Sequence, residues 1–390
     1  MANSHDHDVD DLLEELIAFR RDIHAHPELA FKEVDTANKV AQSLRDIGLE
    51  VTTGIGKTGV VGTLKAGNSS RTIGLRADMD ALPIVEQTGL PYASCNHGVF
   101  HGCGHDGHTT MLLGAARNLA RSKNFDGTVH FIFQPAEEGE AGAKAMIEDG
   151  LFERFPCDRV YAFHNWPDLP AGTIATRPGP IMAAADKFSI QVKGKGGHAA
   201  VPHQTPDAIL AASELVSQLN TIVSRRIAPT STAVLSVTQI SGGSSHNVLP
   251  GSVELTGTVR TFDPQVQDQI EVAIRQVIEG VGIATGTQIS IDYNRYYPAT
   301  INADAAAQHA LAVAATVGDA VEAPQPAFTS EDFAFMLQAC EGAYIWLGQG
   351  KGGEHIPLHH PEFDFNDEII ATGVKLHTAL VEDFLPQQGD

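Results

Sequence analysis

No stretch of this 390-residue chain runs for about 18 apolar residues, so no membrane-spanning helix is expected. Basic residues are scarce: 26 Lys and Arg stand against 48 Asp and Glu, a formal net charge of -22. That excess repels phosphate backbones and anionic lipid, and it excludes nucleic acid and membrane surfaces as expected partners. Cysteine is scarce as well. The four, at 95, 103, 157 and 340, form neither a CxxC pair nor a disulfide framework, so a reducing cytoplasm is the expected compartment. Phe, Trp and Tyr together make 6%, too few to mark an aryl-binding site by composition. The opening MANSHDHDVDDLLEEL lacks an apolar core and is not expected to act as a signal peptide; His5 and His7 within it are expected to bind nothing. A hydrophobic content of 43% still suffices for a folded interior, and the length exceeds one ordinary core, so two domains are expected.

Periodicity predicts helices over Asp10 to His24, Thr36 to Ile47 and Met111 to Ala120. Strands are predicted over Thr72 to Leu75, Thr128 to Phe133, Val160 to Phe163 and Ala343 to Leu347. Such alternation implies an α/β domain with a mixed central sheet and helices on both faces. Asp78, Glu137 with Glu138, and His164 each follow a strand, at the edge where open α/β sheets build their sites. The middle reads differently. Strand-like Lys187 to Val192, helical Asp207 to Leu219, strand-like Thr232 to Ile240 and Val253 to Phe262, helical Gln265 to Gly280 and strand-like Gln288 to Tyr293 give the order β-α-β-β-α-β. That is a ferredoxin-like arrangement. The expected architecture is therefore a catalytic domain, 1–182 plus 296–390, into which an α+β domain, 183–295, is inserted, with hinges near Ala183–Ala185 and Tyr296–Pro298.

His101-Gly102-Cys103-Gly104-His105-Asp106-Gly107-His108 places four metal-capable side chains and a carboxylate in eight residues. On an extended backbone Cys103 and His105 would face the same way. A thiolate beside an imidazole suits zinc, while oxygen ligands admit manganese. Glu137 and Glu138 stand side by side after a strand and a proline, so one can hold metal while the other faces a metal-bound water. His164 and the pair His359-His360 gain meaning only in that company. Together these supply the ligands, base and electrophile that a two-metal hydrolytic site needs.

The stretches RADMDALPI (76–84), HGCGHDGH (101–108), FQPAEEG (133–139), GKGGHAAVPH (194–203), NVLP (247–250) and EDF (331–333) resemble the metal-dependent amidohydrolases of N-acyl amino acids. HPELAFKE (26–33) and LHHPEFDFND (358–367) extend the resemblance over nearly the whole chain. It implies Cys103, His105, Glu138, His164 and His359 as metal ligands, with His359 preferred to His360 because the family ligand lies two before the proline. It implies Glu137 as general base and Asp78 as an orienting carboxylate behind the ligands. It further implies that the inserted domain is a lid through which a homodimer forms. His198 would then reach the partner's site to stabilise the oxyanion, and Asn247 and Arg260 would hold the carboxylate end of the substrate.

The expected function is hydrolysis of N-acyl or N-aroyl L-amino acids. A dipeptidase or carboxypeptidase of the same family, or an N-acetyldiaminopimelate deacetylase, is the nearest alternative. A catalytically silent metal binder and a hydrolase using Cys103 as nucleophile lie further off. The surplus of His and Glu ligands argues against the second. Phe163, Trp166, Phe328 and Met182 are the expected lining of the acyl pocket.

Overall fold

Helix α1 (Asp10–Ala25) turns Leu12, Leu16, Arg20, Ile23 and His24 inward, close to the three-to-four-residue spacing of one helical face. Helix α2 (Val34–Asp46) does the same with Ala37, Val40, Ala41 and Leu44. These features belong to a computed structural model that describes residues 9–352 and 356–387. His5 and His7 lie outside the described residues. The chain divides into two compact units. One comprises Met1–Ile181, Ile301–Gln325 and Asp332–Asp390; the other comprises Met182–Thr300 and Pro326–Glu331.

In the first unit the strands are β1 (Glu50–Ile55), β2 (Gly59–Ala66), β3 (Thr72–Asp78), β4 (Gly127–Gln134), β5 (Arg159–Pro170) and β6 (Ile174–Thr176), with Ala320–Glu322 and Gly342–Gly350 later in the chain. They form one eight-stranded mixed sheet in the order β1, β2, β4, β3, β5, Gly342–Gly350, β6, Ala320–Glu322. Its middle is parallel: β3 pairs with β4 and β5, and β5 with Gly342–Gly350. Strands β3, β4 and Gly342–Gly350 are buried along nearly their whole length and β5 along its first half, as parallel strands covered on both faces must be. Helix α3 (His105–Ser122) sinks Met111, Leu112, Leu113 and Leu119 completely, each worth ~1.5–3 kcal/mol of burial.

Register fixes the site. Asp78 pairs with Gln134, and Arg76 with Ala162, so Asp78, Gln134 and His164 come level at one sheet edge. Strand β5 does not stop before His164 as its apolar run suggested. It continues to Pro170 because its other edge is paired with Gly342–Gly350, where Trp346 opposes His164 and Gly350 opposes Pro170.

Close approach explains one glycine. A Cβ on Gly107, inside α3, would lie 2.2 Å from the Phe365 ring. Gly107→Ala gains ~1 kcal/mol of helix propensity but overfills a packed contact, which costs ~1–3 kcal/mol. Denaturant unfolding is expected to show a lower midpoint; a raised midpoint would mean that the Phe365 contact relaxes freely.

The second unit is built on strands Ala184–Lys193, Ala233–Ser241, Ser252–Thr261 and Gln288–Tyr297. Their order is Ala233–Ser241, Ser252–Thr261, Ala184–Lys193, Gln288–Tyr297, every neighbour antiparallel. Helices Ala208–Leu219 and Pro264–Thr285 bury Leu215, Leu219, Ile270, Ile274 and Val277 against Phe188, Ile190 and Val192 of that sheet. Each helix starts on an aspartate cap: Asp207 accepts from the amides of Ile209 and Leu210, and Asp263 from Gln265. Pro326–Glu331 joins this unit from far along the chain, because the Ala183 amide donates to the carbonyls of Ala327 (3.1 Å) and Thr329 (3.0 Å). Local sequence pattern carries no trace of such a return.

Candidate metal centre

The loop before α3 is shaped by Gly104. Its φ of +91° is a left-handed conformation, and a Cβ there would fall 2.3 Å from Asn165 Oδ1. Cys103 therefore lies in a turn and His105 opens the helix, so the two do not lie on extended backbone. The turn converges them instead. Ligand atoms of Cys103, His105 and His164 lie within 4.8 Å of one another, as do those of Cys103, Glu138 and His359, and those of His105, Glu137 and Glu138. Cys103 Sγ is 3.4 Å from His164 Nε2, and His359 Nε2 is 3.1 Å from Glu138 Oε1. His360 points elsewhere, its Nδ1 accepting the Glu362 amide at 3.2 Å.

The donor set fits divalent cations. His105 donates from Nδ1 to the Asp80 carbonyl (2.9 Å), while its Nε2 is buried with no hydrogen-bond partner. That nitrogen faces Asp78 Oδ2 at 3.8 Å and Glu138 Oε1 at 4.0 Å. His164 donates from Nδ1 to the Asn165 carbonyl (2.8 Å), which leaves Nε2 toward the thiol. Burial, then the neighbouring His108, pushes His164 well below the usual imidazole range, so its lone pair is available. Burial, then Glu138, Glu137 and Asp78, pushes the Cys103 thiol well up. Only a cation in this pocket makes that thiol a thiolate. Burial opposes protonation of His105, yet Asp78, Asp80 and Glu138 carry its pKa up to about 10. The pocket thus concentrates negative charge around the His105 ring, the environment a divalent cation calls for.

Behind the donors, two carboxylates grip the loop that carries Glu137 and Glu138. Asp80 accepts the Glu137 amide at Oδ1 (3.0 Å) and the Glu138 amide at Oδ2 (2.9 Å). Glu33 accepts the Ala136 amide (2.9 Å) and is steadied by the Thr58 hydroxyl (2.6 Å). Ala136 is held at φ +55°, a strained conformation for alanine that these bonds sustain. Burial, opposed by Thr58 and reinforced by Asp80, raises the Glu33 carboxyl to about 7. Glu137 Oε1 also receives the Asp332 amide at 3.4 Å.

Asp78 occupies a different place from Asp80. It accepts Nδ1–H of His108 at 2.6 Å and pairs with Arg76 at 2.7 Å. Burial would raise its carboxyl, but His105, Arg76 and His108 together hold it well below the carboxylate range. The orienting bond on the outer nitrogen of His105 comes from the Asp80 stretch. His108 is itself spent: Nδ1 goes to Asp78, and Nε2 accepts the Asn165 amide at 3.0 Å. His108, one of the four metal-capable side chains of the 101–108 stretch, thus serves the scaffold, while Asp80, Glu33 and Asn165 were not singled out by sequence. Asp80 and Glu33 do fall within RADMDALPI and HPELAFKE, the one available signal.

His198, Asn247 and Arg260 belong to the second unit. A short ladder of Gly197–His198 with Val248–Leu249 brings the first two together, and the Ala199 amide donates to the Asn247 carbonyl at 3.0 Å. His198 Nδ1 accepts the Ala200 amide (3.0 Å), so Nε2 carries the proton of the neutral ring and can donate it. Arg260 donates to the Thr258 hydroxyl and the Val259 carbonyl, and among the described residues it forms no ion pair. Phe163 is unavailable to a substrate: it is buried and stacked on His377, ring centres 3.8 Å apart. It faces away from its neighbour His164, as alternation along a strand requires. Trp166 is half-buried and stacked on Trp346 (4.2 Å). Met182 and Phe328 lie in the second unit, where Phe328 meets Phe262 edge-on.

Residues 74–383 match the family described as Peptidase family M20/M25/M40. The chain belongs to this family. It is 43% identical over 378 residues to the hippurate hydrolase of Campylobacter jejuni, covering 96% of this chain and 98% of that one. It is 40% identical over 367 residues to the N-acetylcysteine deacetylase of Bacillus subtilis, covering 94% and 95%. A dinuclear metal-binding peptidase of the M20 family from Bacillus subtilis superposes with a TM-score of 0.85 at 36% identity, covering 96% of this chain and 99% of that one. This M20 chain is a hydrolase of amide bonds, and its cluster of donors accommodates two divalent cations. None of its described helices is long and apolar enough to cross a membrane.

Proposed function

We propose that this M20 hydrolase cleaves N-acyl-L-amino acids to a carboxylic acid and a free amino acid. One observation carries the reading: the buried, unpartnered Nε2 of His105 sits among Cys103, His164, Glu138 and His359, with Glu137 beside them. In this reading those five residues hold two divalent cations, zinc by preference for thiolate and imidazole, manganese as the alternative. Bound there, such cations would polarise the amide carbonyl and acidify a water. Glu137 would accept a proton from the attacking water and return a proton to the leaving amine. Nε2–H of His198 donates to the oxyanion. The Arg260 fork, which forms no ion pair among the described residues, receives the substrate carboxylate with Asn247, which selects acylated amino acids over plain amides. Asp78 anchors Arg76 and His108 behind the cluster.

The second unit, with its ferredoxin-like strand order, serves in this reading as lid and dimerisation domain, and His198 of one subunit serves the metal site of its partner. Four free cysteines, one of them needed as a ligand, suit the cytoplasm. The relatives named above support the reading through one aroyl and one acetyl substrate.

The test is metal content together with hydrolysis of hippurate, N-acetyl-methionine, N-acetylcysteine, an indoleacetyl-amino acid, N-acetyldiaminopimelate and a free dipeptide, before and after chelation. About two metal ions per chain and chelator-sensitive cleavage of an acylated amino acid are expected. Cleavage of the dipeptide alone would move the substrate class to peptides.

A further inference from the structure

Arg20 is fully buried on α1, a helix that supplies none of the candidate donors. Its guanidinium reaches two separate stretches of chain. Nη1 donates to Asp106 Oδ2 at 3.1 Å, and Asp106 follows His105 in the first turn of α3. Nε lies 2.7 Å from Asp367 Oδ1, and Nη1 lies 3.7 Å from Asp364 Oδ1, both in the segment that runs on from His359. The Tyr92 ring covers the guanidinium, its centre 4.8 Å away. The two stretches also touch directly: the His359 amide donates to the Gly102 carbonyl at 2.8 Å, and Phe365 fills the space over Gly107.

We propose that Arg20 is a positioning residue of the metal centre: it clamps the His359 segment to the Cys103–His105 loop and so sets the affinity for the ion that His359 helps to hold. Three carboxylates, Asp106, Asp364 and Asp367, converge on its guanidinium. Each also has a second basic neighbour, His24 for Asp106 (2.8 Å), Arg21 for Asp367 (2.8 Å) and Lys351 for Asp364 (3.8 Å), but it is Arg20 that bridges Asp106 to the other two. Without it that bridge is lost, and the segment free to yield is the one bearing Asp364 and Asp367. The donors differ in how firmly they are otherwise held. His105 is pinned by the Asp80 carbonyl and His164 by the Asn165 carbonyl. The His359 side chain is 51% exposed, its φ is +66°, and its contacts are Glu138 at 3.1 Å and the Gly102 link. Loosening the clamp therefore falls on His359 first. The planar fork of arginine addresses carboxylates on two sides, which the single ammonium of lysine does only in part.

This inference rests on the two-ion reading above, so the chelated wild-type protein is titrated first with cobalt(II). Two ions per chain uphold that reading; fewer remove it and this inference with it. Given two, Arg20→Met is expected to bind the first ion, seen as thiolate-to-cobalt absorption, at wild-type affinity and the second at least tenfold more weakly. Arg20→Lys is expected to recover part of that loss. Asp367→Asn, at the less buried end of the clamp, is expected to weaken the second ion in the same direction, and it decides the matter should Arg20→Met fail to fold. Wild-type affinity for both ions in a folded Arg20→Met or in Asp367→Asn overturns the proposal, even with a lowered melting temperature, and leaves Arg20 a residue of the fold alone.

Discussion

Glu137→Gln is expected to lower kcat by roughly 10³–10⁴-fold while the metal content stays at the wild-type level. Glutamine keeps the size of the side chain and an oxygen able to receive the Asp332 amide, but it cannot take a proton from water. The loop itself should not move, because its shape is set by Asp80 and Glu33 acting on the amides of 136, 137 and 138 rather than by the Glu137 carboxylate. The adjacent variant is the control. Glu138→Gln removes a donor 3.1 Å from His359, so metal loss should precede any effect on turnover. Activity of Glu137→Gln within tenfold of wild type would mean that another group accepts the proton.

Cys103→Ala is expected to lose at least one of the two metal ions, and activity with it. The pocket makes this a sharp test of what the sulfur does. A nucleophilic cysteine sits where the thiolate is favoured, whereas here burial and three carboxylates drive the thiol toward its protonated form. Chelation of the wild type should therefore abolish turnover, and added metal should restore it. Chelation should also lower the melting temperature, since an ion held at 100 times its Kd stabilises the native state by ~2.7 kcal/mol. Turnover that survives chelation, or undiminished metal in Cys103→Ala, would remove the sulfur from the ligand set and bring the nucleophile reading forward.

The sheet edge was legible because parallel strands announce themselves as apolar runs and the polar residues that follow them stand out. Asp78, Glu137 and Glu138 are candidates on this ground, and the structure brings them to one sheet edge. The end of β5 was misplaced because pairing with Gly342–Gly350 lies beyond any local window. The spacing of Cys103 and His105 suggested an extended pair, and Gly104 instead turns one of them into a helix. Phe163, expected to line the acyl pocket, is instead buried and stacked on His377, because neighbours on a strand face opposite ways and His164 takes the site side. Asp80, Glu33 and Arg20 were passed over for a common reason. Each acts through backbone amides or carboxylates far away in sequence, and a sequence shows side-chain chemistry without showing what it will grip.

The donors come from separated stretches: Cys103 with His105, Glu138, His164, and finally His359. The ribosome adds ~5–20 residues per second, so His359 follows His164 by on the order of ten seconds or more. During that interval the emerging chain already carries a thiol and two imidazoles able to capture an ion, but not its full cage. Arg20 waits longer still for Asp364 and Asp367. With His359 as the last donor, as proposed, catalytic competence is a late event in biosynthesis, and a chain released before the final stretch would hold metal loosely and leave amides intact.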